Sequence, residues 1–183
     1  MSKANETITF VKLTEGDVPR ITALVAETFE KAVLDTLGPE KAKAQGEMFG
    51  DDALLHEAFA EGVDAYIIVV DGKESGIAVV KGNLAEQSYS LELFSISTQH
   101  HSQGIGVRVW NELEKLYPDA KMWETTTPTF AIKNVNFYVN KCKFHIVALL
   151  DMAKIAQETG EDHPFANDED FRYNFLFQKK MRD

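Results

Sequence analysis

The chain has one cysteine, Cys142, in 183 residues. A lone thiol excludes an internal disulfide and a multi-cysteine zinc site. A reducing, cytoplasmic setting is the simplest expectation. No apolar run approaches the roughly 20 residues that a membrane-spanning helix needs. The first residues, Met1 to Asn5, carry no apolar core of the signal-peptide kind. A membrane partner is therefore not expected. Basic residues are few: 19 Lys and Arg stand against 29 Asp and Glu, a formal net charge of −10. That balance argues against nucleic acid as a partner, because a phosphate backbone calls for a basic stripe. It is compatible with a cationic small molecule, although solubility alone explains it more simply. Internal repeats, low-complexity tracts and long linkers are absent as well.

What remains is an ordinary folded composition, 44% apolar and 10% aromatic, with a length that fits one domain over residues 1–183. Ile8–Leu13 alternates like a first strand. Asp17 is placed to cap a helix with Pro19 in its first turn, and Ile21, Leu24, Val25, Phe29 and Val33 form its apolar stripe. Gly38-Pro39 breaks the chain before a helical turn through Lys43. Asp51 or Asp52 caps a further helix carrying Leu54, Leu55, Ala58 and Phe59, which Gly62 ends. Ala65–Val70 and Gly76–Lys81 flank Asp71-Gly72 as a hairpin, its loop reading slightly longer than two residues. Tyr89–Ser97 reads as a strand, and Gly106–Tyr117 as a helix stopped by Pro118. Met122–Thr127 reads as a strand, and Ala131–Cys142 as a helix with Ala131, Ile132, Val135, Val139 and Cys142 inward. Phe144–Leu150 and Tyr173–Lys179 are strands on either side of an acidic loop, Gln157–Asp170. The order β-α-α-β-β-β-α-β-α-β-β implies an α/β or α+β layer fold around one mixed sheet.

Leu91–Trp110 is the most informative stretch. A strand runs into a glycine-containing turn, and an amphipathic helix follows at once. Such a turn presents unpaired backbone N–H groups at a helix N-terminus, where they and the helix dipole favour a phosphate. Gly104 and Gly106 let a phosphate approach the backbone with no Cβ in the way. A tight turn holding nothing is the alternative. Other patterns carry less. Gln99-His100-His101 with His163 lacks metal-ligand spacing, so no metal is expected. Cys142 has no His partner at nucleophile spacing and reads as core. Gly104-Ile-Gly-Val-Arg-Val lacks the third glycine of a dinucleotide fingerprint, since Val109 stands there.

Ile96 followed by His101-Ser102-Gln103-Gly104-Ile105-Gly106 resembles the acetyl-CoA motif of the GNAT superfamily of N-acetyltransferases. That motif is a strand end, four residues, then Gln/Arg-x-x-Gly-x-Gly/Ala; His101 replaces the usual Gln or Arg. Asn134-Val135-Asn136-Phe137-Tyr138-Val139-Asn140-Lys141-Cys142-Lys143-Phe144 is similar to the family's helix Asn-x-x-Phe-Tyr-x-x-x-Gly-Phe, with Lys143 where Gly is usual. The element order matches too, so the resemblance covers nearly the whole chain. It implies the GNAT acyl-CoA N-acyltransferase fold, a mixed, mostly antiparallel sheet of about seven strands flanked by helices.

The resemblance implies direct transfer of acetyl from acetyl-CoA, a co-substrate, to a primary amine of a small molecule or peptide in a ternary complex. Backbone groups from Ser102 to Gly106, with Val107, would grip the pyrophosphate, and His101 would add a side-chain contact. Phe94, Ser95 and Ile96 would meet the pantetheine arm. Tyr138 would protonate the leaving thiolate, because a phenol near pKa ~10 is protonated at neutral pH. Asn134, one helical turn earlier on the same face, would bind cofactor or stand as a solvated surface residue. Glu92 shares a strand face with Ser90, Phe94 and Ile96; it would take the amine's proton directly or through water, or act only as an edge-facing carboxylate. The acceptor side would involve Glu30–Glu61 and Ala148–Phe171, rich in Asp and Glu, with Phe29, Phe49 and Trp123 as lining or as core. A polyamine or aminoglycoside suits such a rim, and two solvated acidic loops explain it as well. A homodimer is compatible with the family. The alternative function is an acyl-CoA-binding module without turnover.

Overall fold

A computed structural model describes residues 6–43, 52–97, 104–160 and 167–181. Its strands pair in the order β1-β2-β3-β4-β5-β7-β6, seven in one mostly antiparallel sheet with helices beside it. The chain divides into two compact units, Met1–Asn83 with Leu91–Pro118, and Leu84–Ser90 with Asp119–Asp183. The strand β4 (Ser88–Ile96) contributes its start to the second unit and its end to the first.

In the first unit, β1 (Ile8–Lys12), β2 (Val63–Val70) and β3 (Lys73–Asn83) form an antiparallel meander. Val70 pairs with Lys73, so the hairpin loop is the two residues Asp71 and Gly72, at φ 50° and 78°. The loop is therefore shorter than the sequence suggests, because two left-handed residues give the primed turn that follows strand twist. The helix α1 (Val18–Leu37) lays Ile21 and Val25 on a core with Leu55, Ala58, Ala65, Ile67, Ile77 and Val79. Asp17 precedes α1 but does not cap it with its side chain. Its carboxylate instead accepts from the Thr14 amide at 3.0 Å and the Thr14 hydroxyl at 2.6 Å, and pairs with Arg20 at 2.8 Å. The capping geometry belongs to the 3₁₀ turn Glu15–Asp17, one turn earlier than expected. A short helix α2 spans 39–43, and Asp52–Phe59 is a 3₁₀ run, not the expected α-helix.

Gly76 in β3 lies where a β-bulge shifts the β2–β3 register between Ile68 and Val69. A Cβ on it would stand 2.0 Å from the Ser95 carbonyl oxygen and 3.0 Å from the Ile96 Cα. Only glycine admits the end of β4 this closely. The Ser97 amide then donates to the Ser75 carbonyl at 2.7 Å.

In the second unit, β4 runs parallel to β5 (Met122–Pro128) over Ser88–Ser90 against Met122–Glu124. β7 (Tyr173–Lys180) pairs antiparallel with both β5 and β6 (His145–Asp151). The helix α4 (Ile132–Asn136) passes directly into a π turn, Phe137–Lys141. The Cys142 amide closes it on the Phe137 carbonyl, five residues back, at 3.0 Å. That wider turn rotates the face that a 3.6-residue period predicts. Tyr138 and Cys142 are buried, whereas Ile132, expected inward, is 66% exposed. β6 is followed by a helix the sequence reading does not assign, α5 (Met152–Thr159), whose last three residues reach into the expected loop Gln157–Asp170. Asp151 caps it through the amides of Ala153 and Lys154 and pairs with Arg172 at 2.6 Å. Asp151 thus ends β6 and starts α5 at once.

Candidate functional site

The first unit carries the strand-turn-helix. Gly104 caps α3 (Ile105–Lys115) in the left-handed region, φ 72° and ψ 11°. A Cβ on Gly104 would meet nothing within 4 Å, so its approach is open. The first turn-closing bond runs from the Arg108 amide to the Gly104 carbonyl at 3.5 Å. The amides of Ile105, Gly106 and Val107 thus have no acceptor within the helix and form its positive end. Ile105, Val109, Trp110 and Leu113 anchor the helix in the core. Arg108, the cation in its first turn, is engaged by the Glu6 carboxylate at 2.6 Å. The Arg108 guanidinium is thus engaged, and the first-turn amides are the groups that an anion would meet there. His101, Ser102 and Gln103 lie outside the described residues.

On β4, Phe94 meets Trp110 of α3 edge-on, with ring centroids 6.5 Å apart. Ser95 and Ile96 are buried and Glu92 is exposed. The strand end that would offer backbone groups to a ligand is thus held from both sides, by the aromatic pair and by the Gly76 approach.

The second unit carries Asn134 and Tyr138. Thr125 and Thr127 of β5 share a face, since strand side chains alternate, and both are buried. The Asn134 amide nitrogen donates to the Thr127 hydroxyl at 3.2 Å. The Tyr138 phenol hydrogen-bonds the Thr125 hydroxyl. Its ring packs among Phe137, Phe144 and Phe177, at centroid distances of 5.3, 5.7 and 5.4 Å. Burial pushes the phenol up to about 12, while the Thr125 hydrogen bond works in the opposite direction. Tyr138 is therefore protonated at any physiological pH. Cys142 is buried beside it, in the core role its sequence context suggested.

Lys143, where the motif has Gly, adopts φ 67°, the conformation a glycine would take. The turn into β6 is thus kept despite the substitution, with the Lys143 ammonium on the Asn140 carbonyl at 2.8 Å. Of the residues considered for the acceptor side, Trp123 is fully buried against Tyr89, and Phe29 packs on the first unit's core. Glu158 faces Lys154 at 3.7 Å, and Asp168 accepts from the Asp170 amide. Phe49, Glu47, Glu161, Asp162, His100 and His163 lie outside the described residues. Among the described residues no group of three His, Cys, Asp or Glu is arranged for a metal, and no helix is long and apolar enough to cross a membrane.

Sequence reasoning missed Gly76, Thr125 and Thr127. The alternation of Thr125 and Thr127 was a signal, but only the tertiary fold shows which helix side chains they meet.

The uncharacterized protein YrkN of Bacillus subtilis strain 168 is 38% identical over 190 residues, spanning 100% of this chain and 98% of that protein. The chain belongs to the YrkN family. No family model matches it. Solved structures identify its fold. The PaiA N-acetyltransferase of Thermoplasma acidophilum, in complex with coenzyme A, superposes with a TM-score of 0.66 at 14% identity, over 96% of this chain and 99% of that one. The GCN5-related N-acetyltransferase of Rhodopseudomonas palustris gives 0.67 at 16% identity, over 99% of each chain. A Bacillus subtilis acetyltransferase in complex with CoA gives 0.58 at 15% identity, over 97% of this chain and all of that one. This YrkN relative therefore has the GNAT fold, with its seven-stranded mixed sheet.

Proposed function

We propose that the chain is an acetyl-CoA-dependent N-acetyltransferase acting as one catalytic domain on a primary amine. The observation that carries the reading is the left-handed Gly104 opening α3, with three amides free of helical acceptors and an open approach. It supports a diphosphate grip by Gly104, Ile105, Gly106 and Val107, flanked by His101, Ser102 and Gln103. Phe94, Ser95 and Ile96 meet the pantetheine arm through the backbone. Acetyl-CoA supplies an activated acyl group and a thiolate leaving group.

The chain's residues then do two things. Glu92, or water beside it, takes a proton from the attacking nitrogen as the N–C bond forms. Tyr138 gives its phenolic proton to sulfur as the C–S bond breaks; solvent then reprotonates the phenolate and takes up the proton that left nitrogen. Asn134 contributes the rest of its amide to the cofactor. The acidic balance favours a cationic acceptor such as a polyamine, and a peptide amine fits the same chemistry.

A second reading, an acyl-CoA-binding module without turnover, is favoured by the deep burial of Tyr138, 7% exposed among three phenylalanine rings. One pair of measurements separates the two. Ligand linkage gives roughly 2.7 kcal/mol of stabilisation at a hundredfold excess over Kd, read as a thermal shift with CoA. Free-thiol release from acetyl-CoA is then followed with polyamines, an aminoglycoside and a peptide bearing a free amino terminus. A thermal shift with thiol release supports the transferase. A shift without release favours the module, and no shift overturns both.

A further inference from the structure

We propose that β6 and its two flanks are a self-association surface, on which a second copy of this chain docks antiparallel about a two-fold axis. The inference is independent of the chemistry proposed above. β6 stands at one end of the strand order, and among the described residues it pairs with β7 alone. Its outer edge is therefore open to another chain. The side chains along it are apolar yet uncovered: Ile146, Val147 and Leu149 are 44%, 49% and 59% exposed. Helix α5, which continues from β6, has no buried residue either. Three branched aliphatic side chains within four residues of one open strand are a patch, not scattered exposure.

The charges at its two ends say what covers the strip. Lys143 precedes β6 by two residues, and Lys180 ends β7 at the same side, since His145 pairs with Gln178; both lysines are exposed. The other end of β6 is acidic. Asp151 there is matched by Arg172 at 2.6 Å. Asp168, Glu169 and Asp170 add charge from a turn tied to that end. The Met152 amide donates to the Arg172 carbonyl, and the Arg172 amide to the Asp168 carbonyl, each at 2.8 Å. On α5, Lys154 and Glu158 offset each other. The strip thus runs from a basic end through an apolar middle to an acidic end. A parallel copy would set like charges together. An antiparallel copy sets each basic end against an acidic end, twice over, and lays the aliphatic middles on one another. A contact of this kind is isologous, because one patch complements itself about the axis. The register shift between Ile146 and Ala148 interrupts a straight ladder, so side chains carry the contact rather than continuous strand pairing.

Sedimentation velocity of the full chain at rising concentration, in low and in high salt, tests the surface. The expected wild type is a dimer that salt weakens, because its ends are held by exposed charges. Leu149→Asp, at a side chain that already reaches water, raises the dimer Kd about tenfold or more by charging the centre of the contact. Lys143→Glu with Lys180→Glu makes both ends acidic, and Glu169→Lys with Asp170→Lys makes both ends basic. Each double variant is monomeric alone, whereas an equal mixture of the two forms a heterodimer. Pairing in the mixture also shows that both variants are folded. A wild type that stays monomeric gives the strip to another occupant and overturns the proposal. A dimer untouched by Leu149→Asp overturns it too. So do charge-reversed variants that self-associate like the wild type, or a mixture that stays monomeric.

Discussion

The Asn134 amide nitrogen lies 3.2 Å from the Thr127 hydroxyl, four residues before Tyr138 on the helix and two residues after Thr125 on the strand. A helix turn advances about 5.4–6 Å over four residues, and a strand advances about 6.5 Å over two. The two spacings match, so α4 with its π turn docks on β5 at two hydroxyls in register. Thr127→Val removes one of these bonds at nearly constant volume. Its expected cost is about 1 kcal/mol in urea unfolding, because the amide it leaves behind is exposed enough to find water.

Gly76→Ala is expected to be among the most damaging single-methyl changes available. The added Cβ would lie 2.0 Å from a backbone oxygen that belongs to a paired strand, so relief requires moving β4. Overpacking of this kind costs about 2–4 kcal/mol. CoA binding, followed by calorimetry below the unfolding range, should weaken as well, since the displaced residues are Ser95 and Ile96. Wild-type affinity in this variant would detach the strand end from the ligand.

Lys143→Gly should stabilise the protein. A side chain at φ 67° pays a steric cost that glycine does not. After subtraction of glycine's greater freedom in the unfolded chain, the net gain is about 0.5–1 kcal/mol. Lys143→Ala keeps the strained conformation and loses the bond to the Asn140 carbonyl, so it should gain nothing. Thermal unfolding of the pair tests whether strain or the side chain governs this turn.

Acid should unfold the protein partly through Asp17. Hydrogen bonds from Thr14, then the Arg20 contact, hold its carboxyl down at about 2, below the ordinary value near 3.9. A group depressed in the folded state contributes stability above its unfolded pKa and loses it as pH falls toward the folded one. Stability should therefore decline between about pH 4 and pH 2. Asp17→Asn should flatten that slope in urea titrations run at successive pH values. Asp151, lowered by Arg172, acts in the same direction, so some slope remains.

Gly104→Ala separates binding from folding. The methyl group has open space but an unfavourable left-handed backbone, so the expected loss of stability is about 1 kcal/mol. CoA affinity should fall by more than that strain explains, because the methyl would occupy the side from which a phosphate approaches. Equal affinity in the two proteins would place the diphosphate elsewhere.

Much of this protein was legible in its residues. The strands announced themselves by alternation, and the turn at Gly104 by a glycine between a strand and an apolar stripe. Asn134 and Tyr138 stood one turn apart in the sequence, as they do in the structure. These features are local: each depends on a few neighbouring side chains and on the backbone they permit. What the tertiary structure alone decided is non-local. Cys142 is buried as its spacing suggested, but Ile132 is exposed and Tyr138 buried, because the π turn that follows α4 breaks the 3.6-residue period on which the inward stripe was drawn. Helix α5 formed in the stretch between the last assigned strand residue, Leu150, and the acidic loop, and its end at Thr159 runs into that loop, because Asp151 at the end of β6 satisfies its first amides. Thr125, Thr127 and Gly76 took on their roles only from what lies across from them, a phenol, an amide and a strand, brought near by residues far apart in the chain.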